Sequence, residues 1–258
     1  MTDSPKPTWI LDLHPDFPGS EVVRSHLQQA VVVDKHDIIM QRWPDLPLPV
    51  VGYGTMFMLT RLAHVPNLAQ AVFDDYAKLR CSTYYRYIYD LIGRTCVFVP
   101  FSALPTLPLE RMFGSSVFVR SDSNYKLFPA RVLALTEIEG WLQLYQQHRD
   151  ELVVVAEVVT FKREYRCFCR NGTFFCGSAY PEPYEAVPAH VQRFAEQAAE
   201  RMAKIGINML TVDVGITGEQ LQIVEIGGVN SWGIYGSNVA AFIAAMEAEA
   251  LSRWSDYA

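Results

Sequence analysis

The stretch TVDVGITGEQLQIVEIGGVNSWGIYG, residues 211–236, sets one carboxylate inside each of two apolar runs. Asp213 lies in Met209–Val214 and Glu225 in Leu221–Ile226, and both runs read as strands. The connection between them decides where the acids point. A three-residue loop, Gly218-Glu219-Gln220, sets Asp213 directly opposite Glu225 on one face, about 5 Å away as a cross-strand pair. A two-residue loop sends them to opposite faces. Paired carboxylates repel unless a cation or a proton lies between them, and hard oxygen ligands with few protein contacts suit magnesium. Asn230, in the loop that follows, adds an amide oxygen. The competing reading is that both acids pair with arginines or sit at exposed strand ends.

The rest of the 258 residues bounds the setting. With 50% hydrophobic and 19% charged residues, the composition is that of a globular chain able to bury a substantial core. A formal net charge of -6 argues against a general polyanion-binding surface, so no nucleic-acid partner is expected. The opening MTDSPKPTWILDLHPDF does not read as a secretory signal, and no run of about 18 uncharged apolar residues suggests a membrane span. Five cysteines, an odd number without an export signal, favour reduced thiols and a cytoplasmic location.

Working outward, Val31–Val33, Ile38–Met40 and Val50–Val51 read as strands alternating with helical patterns, an α/β layer. VGYG after the last of these reads as a tight turn into a helix, because it lacks the lysine of a phosphate loop. Phe98–Ser116 carries three prolines and reads as an irregular connector. Beyond it come a strand at Val117–Val119, a polar loop, a second strand, and a helix opened by a capping box of Thr136 with Glu139. Leu152–Ala156 is a continuous apolar strand. Asn171-Gly172 is a type I′ hairpin signal, and its register sets Cys167 against Cys176 and puts Glu164, Arg166 and Phe168 on one side. A helix follows Pro188, and Ser237 is positioned to cap a last one. The second half therefore reads as antiparallel sheet covered by helices, an α+β arrangement.

Taken with the elements before it, TVDVG…LQIVEIGGVNSWGIYG resembles the C-terminal signature of the ATP-grasp superfamily. VFVRSDSNYK resembles the strand and loop that meet nucleotide phosphates, with Arg120 and Lys126 as the cations. VVVAEVV resembles the hinge that holds adenine, with Glu157 accepting from the amino group and the Val159 backbone beside it. REYRCFCRNG resembles the next strand, where Glu164 takes the ribose hydroxyls and Arg166 points toward phosphates. Arg120-Ser121-Asp122, Lys126 with Phe128, Glu164-Tyr165-Arg166 and Tyr235 are similar to motifs of a compact clade named for replacing a usual arginine with lysine.

The resemblance implies an ATP-grasp fold over residues 108–258, preceded by a Rossmann-like α/β domain over residues 1–107. It implies ATP and Mg2+ as cofactors, with Asp213, Glu225 and Asn230 holding the metal. Arg120, Lys126 and Arg166 would carry the catalytic charge. The implied activity is ligation of a small-molecule or peptide carboxylate to an amine or thiol through an acylphosphate. A kinase and a noncatalytic ATP-binding protein are the alternatives, and a homodimer is the family-level expectation. Three departures stand out: Gly227 where many members have asparagine, Thr211 where an arginine commonly sits, and no glycine in Ser121–Tyr125. Cys167, Cys169 and Cys176 read as reduced core thiols rather than as a zinc or redox cluster.

Overall fold

The computed structural model describes residues 6–255. The chain divides into two compact units, one holding residues up to Asp74, Glu164–Val214 and residues from Glu225 on, the other Asp75–Arg163 and Gly215–Val224. The expected boundary between residues 107 and 108 falls inside the second unit, and the outermost ends of the expected domains, residues 1–5 and 256–258, lie outside the described residues.

In the first unit, β1 (Thr8–Asp12), β2 (Val31–Val33) and β3 (Val50–Tyr53) form a parallel sheet in the order β2-β1-β3. Parallel neighbours need crossovers, and α1 (Gly19–His26) and α2 (Lys35–Met40) fall between the strands in sequence. Trp9, Ile10, Leu11, Val51 and Tyr53 are buried, which is why these strands read as apolar runs instead of alternating. The strand expected at Ile38–Met40 is instead the end of α2. Asp34 caps that helix by accepting from the Asp37 amide at 2.8 Å, and only Ile38 of the three is buried, as helical periodicity requires. VGYG does turn into a helix, α3 (Met56–Leu62), capped by Thr55.

The second unit contains α4 (Cys81–Ile92), β4 (Cys96–Pro100), α5 (Leu109–Phe113), β5 (Ser116–Ser121), β6 (Arg131–Ala134), α6 (Ile138–Leu144) and β7 (Leu152–Ala156). Its antiparallel sheet has the order β4-β7-β5-β6. Val117, Val119, Leu133, Val153 and Val155 share one core with Phe101, Phe128 and Trp141. The expected irregular connector is built from short helical turns whose Phe101, Leu104 and Leu109 belong to that core. Its prolines keep those turns short without keeping their side chains out of the interior. At α6 the cap also differs from expectation: Glu137, not Glu139, reaches back, accepting from the Ala134 amide at 2.9 Å.

The chain continues through β8 (Arg163–Arg170), β9 (Thr173–Tyr180), α7 (Ala189–Ala203), β10 (Met209–Thr217), β11 (Gln220–Gly227) and α8 (Val239–Ser255). The strands form a sheet in the order β11-β10-β8-β9. Asn171 and Gly172 have φ of 51° and 84°, as a type I′ turn requires. A bulge between Phe168 and Cys169 then shifts the register, so Cys167 pairs with Gly177 and Phe168 with Cys176, not Cys167 with Cys176. Asn238, rather than Ser237, caps α8 by accepting from the Ala241 amide at 3.0 Å. Between β10 and β11 only Gly218 and Glu219 lie outside the strands, and Gly218 has φ 61°. This is the two-residue case with glycine first, as in a type II′ turn, so the three-residue condition for a direct Asp213–Glu225 opposition is not met. Among the described residues no helix is long and apolar enough to cross a membrane.

All five cysteines are free, and Cys167, Cys169 and Cys176 are buried. Burial pushes their thiols up, with Cys176 reaching about 12 against an ordinary 9.0. A thiol raised in the folded state favours folding below its unfolded pKa, and that contribution disappears as pH climbs through the folded value. Alkylation at pH 8 is therefore expected to leave these three thiols unlabelled in native protein and labelled in urea. Urea unfolding should show stability falling above about pH 9, where unfolded thiols ionise. Rapid native labelling of all three would contradict their placement.

Candidate functional site

The first unit builds its polar centre around Arg166 of β8, which points at Asp213 on the neighbouring strand β10. Arg166 Nε donates to Asp213 Oδ1 at 2.9 Å and Nη2 to Oδ2 at 2.7 Å, a bidentate fork, while Nη1 donates to the Gly233 carbonyl at 3.2 Å. Both side chains are almost wholly buried. The guanidinium also lies 4.6 Å from the Trp232 ring centre, 4.9 Å from that of Tyr235 and 5.0 Å from that of Tyr180. Tyr180 and Tyr235 stack on each other with an interplanar angle of 10°. Tyr235 takes a φ of 46°, which a bulky residue rarely adopts.

These contacts fix protonation states. Burial alone disfavours the Arg166 charge, but the Asp213 carboxylate outweighs it and the guanidinium holds its proton more tightly than usual. The Tyr180 phenol is pushed well up, first by burial and then by the Asp213 carboxylate. It stays a donor and gives its proton to Glu164 Oε2 at 3.0 Å. Glu164, Tyr180, Arg166 and Asp213 thus form one linked group.

The loop after β11 is tied down by two side chains. Asn230 is fully buried: its Oδ1 accepts from the Phe73 amide at 2.7 Å, and its Nδ2 donates to the carbonyls of Gly52 at 2.6 Å and Ala71 at 3.1 Å. Asp74 Oδ1 accepts from the amides of Val229 at 2.7 Å and Asn230 at 3.4 Å. Gly227 and Gly228 are what the close fit demands. A Cβ on Gly227 would lie 2.1 Å from the Trp232 ring, and one on Gly228 2.1 Å from the Asp74 carboxylate. Glu225 is half-buried near the end of β11.

In the second unit, Arg120 on β5 is 6% exposed. The Ser121–Asn124 loop that follows it is buried and anchored. Asp122 accepts from Arg80 Nε at 2.8 Å, from the Ser82 amide at 2.6 Å and from the Ser82 hydroxyl at 2.9 Å. Asn124 donates to the Leu79 carbonyl at 2.9 Å. The absence of glycine in this loop therefore goes with a fixed conformation. Lys126 is exposed at a φ of 49°, while Phe128 two residues on is a core anchor. Glu157 accepts from the Thr95 amide at 2.8 Å through Oε2, and Val159 is half-buried.

Of the residues singled out in the sequence, Glu164, Arg166 and Asp213 are joined by direct bonds through Tyr180 and the ion pair. Arg120, Lys126, Glu157 and Val159 belong to the other unit. Tyr180 and Asp74 were not anticipated. Tyr180 was reachable from the hairpin, since it pairs with Glu164. Asp74 lies in no motif and gave no signal.

A family model for the ATP-grasp domain, the second family of the clade named for its arginine-to-lysine replacement, matches residues 92–245. Among solved structures, the D-alanine-D-alanine ligase from Coxiella burnetii superposes with a TM-score of 0.64 at 11% identity, covering 98% of this chain and 97% of that one. A RimK domain ATP-grasp protein from Sphaerobacter thermophilus gives 0.61 at 16% identity, covering 94% and 98%. The ATP-grasp ligase PsnB complexed with minimal precursor gives 0.59 at 12% identity, covering 95% and 100%. No curated protein matches the chain. The structural likeness at these identities concerns the fold.

Proposed function

The chain belongs to the ATP-grasp family, and from that premise we propose that it is an ATP- and magnesium-dependent ligase joining a carboxylate to an amine or thiol through an acylphosphate. The observation that carries this reading is the buried, charge-balanced Asp213 inside the matched region. Arg166 holds both of its oxygens in place, so the carboxylate is oriented before any ligand arrives.

The donor set fits a hard cation. Each carboxylate oxygen offers two lone-pair directions, and Arg166 engages each Asp213 oxygen with one donor, leaving acceptor capacity. Asp213 and Glu225 would hold magnesium, with Asn230 contributing its Oδ1 beyond the bond from Phe73. Bound there, the metal would supply neutralising charge to phosphate oxygens. In the second unit, Arg120 and Lys126 add positive charge for phosphates, while Glu157 and the Val159 backbone take the adenine. In the first, Glu164, kept in place by Tyr180, takes ribose hydroxyls, and Arg166 stabilises charge on the transferred group. PsnB, which has been described with a precursor peptide and AMPPNP, supports a peptide carboxylate or amine as one substrate class. The domain division at residues 107 and 108 remains part of this proposal.

Calorimetric titration of ATP with and without magnesium, into wild type and Glu225→Ala, tests the reading. Losing even an outer-shell partner of a metal costs about 10–100-fold in affinity, so the variant should weaken magnesium-dependent binding at least that much. Wild-type protein that binds no ATP would overturn the proposal. Phosphate release that needs both a carboxylate and an amine distinguishes a ligase from a kinase.

A further inference from the structure

Arg94, between α4 and β4, is only 8% exposed. Its backbone is set by Gly93 at φ 66°, whose carbonyl accepts from Gln222 Nε2 at 3.0 Å. The guanidinium lies over the Phe118 ring, 4.7 Å from its centre. Two of its nitrogens, Nε and Nη2, are out of solvent and have no hydrogen-bond partner. Among the described residues no carboxylate forms an ion pair with it.

This is an expensive arrangement. A buried lysine sheds its proton, but arginine does not, so the charge stays and needs compensation. A cation–π contact with Phe118 offsets only part of that cost. Nε and Nη2 share one edge of the guanidinium and offer two parallel N–H groups, the geometry that two oxygens of a phosphate or carboxylate match. Phe118 and Arg120 are two apart on β5 and so project from the same face of the sheet, placing Arg94 over the face that carries Arg120.

We propose that Arg94 is an anion-binding residue whose Nε–Nη2 edge holds a phosphate or carboxylate group over Phe118. The proposal stands without the nucleotide reading and joins it only if the anion is a nucleotide's own phosphate.

The test compares wild type with Arg94→Met by thermal melting and calorimetry, using inorganic phosphate, tripolyphosphate, ATP and adenosine. The ligand-free variant is expected to melt at or above wild type, because an apolar chain replaces an unpaired buried charge. The rise in melting temperature that phosphate or tripolyphosphate gives wild type should be lost, with tripolyphosphate at least ~10-fold weaker and adenosine unchanged. ATP weakening in step assigns the anion to the nucleotide, whereas unchanged ATP binding assigns it to a separate phosphate or carboxylate. Either result supports the site. Wild type that binds no ATP yet shows a phosphate effect lost in the variant would sink the nucleotide reading and leave this one intact. A folded variant with the full anion response, or wild type with no anion response, overturns it. Arg94→Lys keeps the charge and breaks the fork, so it carries the same test if the Met variant does not fold; undiminished anion affinity there also refutes bidentate binding.

Discussion

Asp213→Asn is expected to lower the unfolding free energy by about 3–5 kcal/mol, the cost of removing one partner from a buried ion pair. The Asp213 and Arg166 side chains are 2% and 7% exposed, so solvent does little to screen what remains. Asparagine keeps the shape, but it leaves the Arg166 charge among Tyr180, Trp232 and Tyr235 with no carboxylate to balance it. Urea unfolding of the single variant and of Arg166→Met/Asp213→Leu checks the account. Replacing both partners with apolar groups removes the stranded charge, so the double variant should recover most of the loss. A single-variant loss below about 1 kcal/mol would mean the pair behaves like a surface salt bridge. The double variant also separates folding from chemistry, since under the proposed function it folds and still fails to bind ATP in a magnesium-dependent way.

Asn230→Asp has the next largest expected effect. The substitution is isosteric, but it turns the donor facing the Gly52 and Ala71 carbonyls into an acceptor and adds a buried charge. Two carbonyls left without donors cost roughly 1–3 kcal/mol each, so a loss of about 3 kcal/mol or more is expected in urea unfolding. If metal binding were the residue's main task, aspartate would be the stronger ligand, and magnesium would restore the variant. A variant as stable as wild type, with tighter magnesium binding, would remove the structural role given to Asn230. Protection of the Phe73 amide from hydrogen exchange is a second readout, because Asn230 Oδ1 is its acceptor.

Some of this was legible in the chain itself. Asn171-Gly172 announced its hairpin because few residues tolerate two successive positive φ values, so the local chemistry leaves little choice. The parallel strands β1 and β3 were visible as apolar runs because strands buried on both faces carry no polar alternation. The capping residues were legible only in kind. Asn238 outcompeted Ser237, and Glu137 outcompeted Glu139, because a shift of one or two residues in a helix start leaves the sequence pattern nearly unchanged. Ile38–Met40 was misread as a strand because three apolar residues fit either period, and the decisive signal, the Asp34 cap, lay outside them.

By itself the sequence determined which residues carry charge inside apolar strands. Asp213, Arg166 and Arg120 stand in hydrophobic runs, and a buried charge must be answered by something. What answers each of them was decided by the tertiary structure alone. The two-residue turn at Gly218-Glu219 took away the direct Asp213–Glu225 opposition, and the order β10-β8 gave Asp213 to Arg166 instead. Asp74 reached across 155 residues of sequence to hold the loop at Val229. Such pairings follow from strand order and turn geometry, and neither is written in the spacing of the residues that meet.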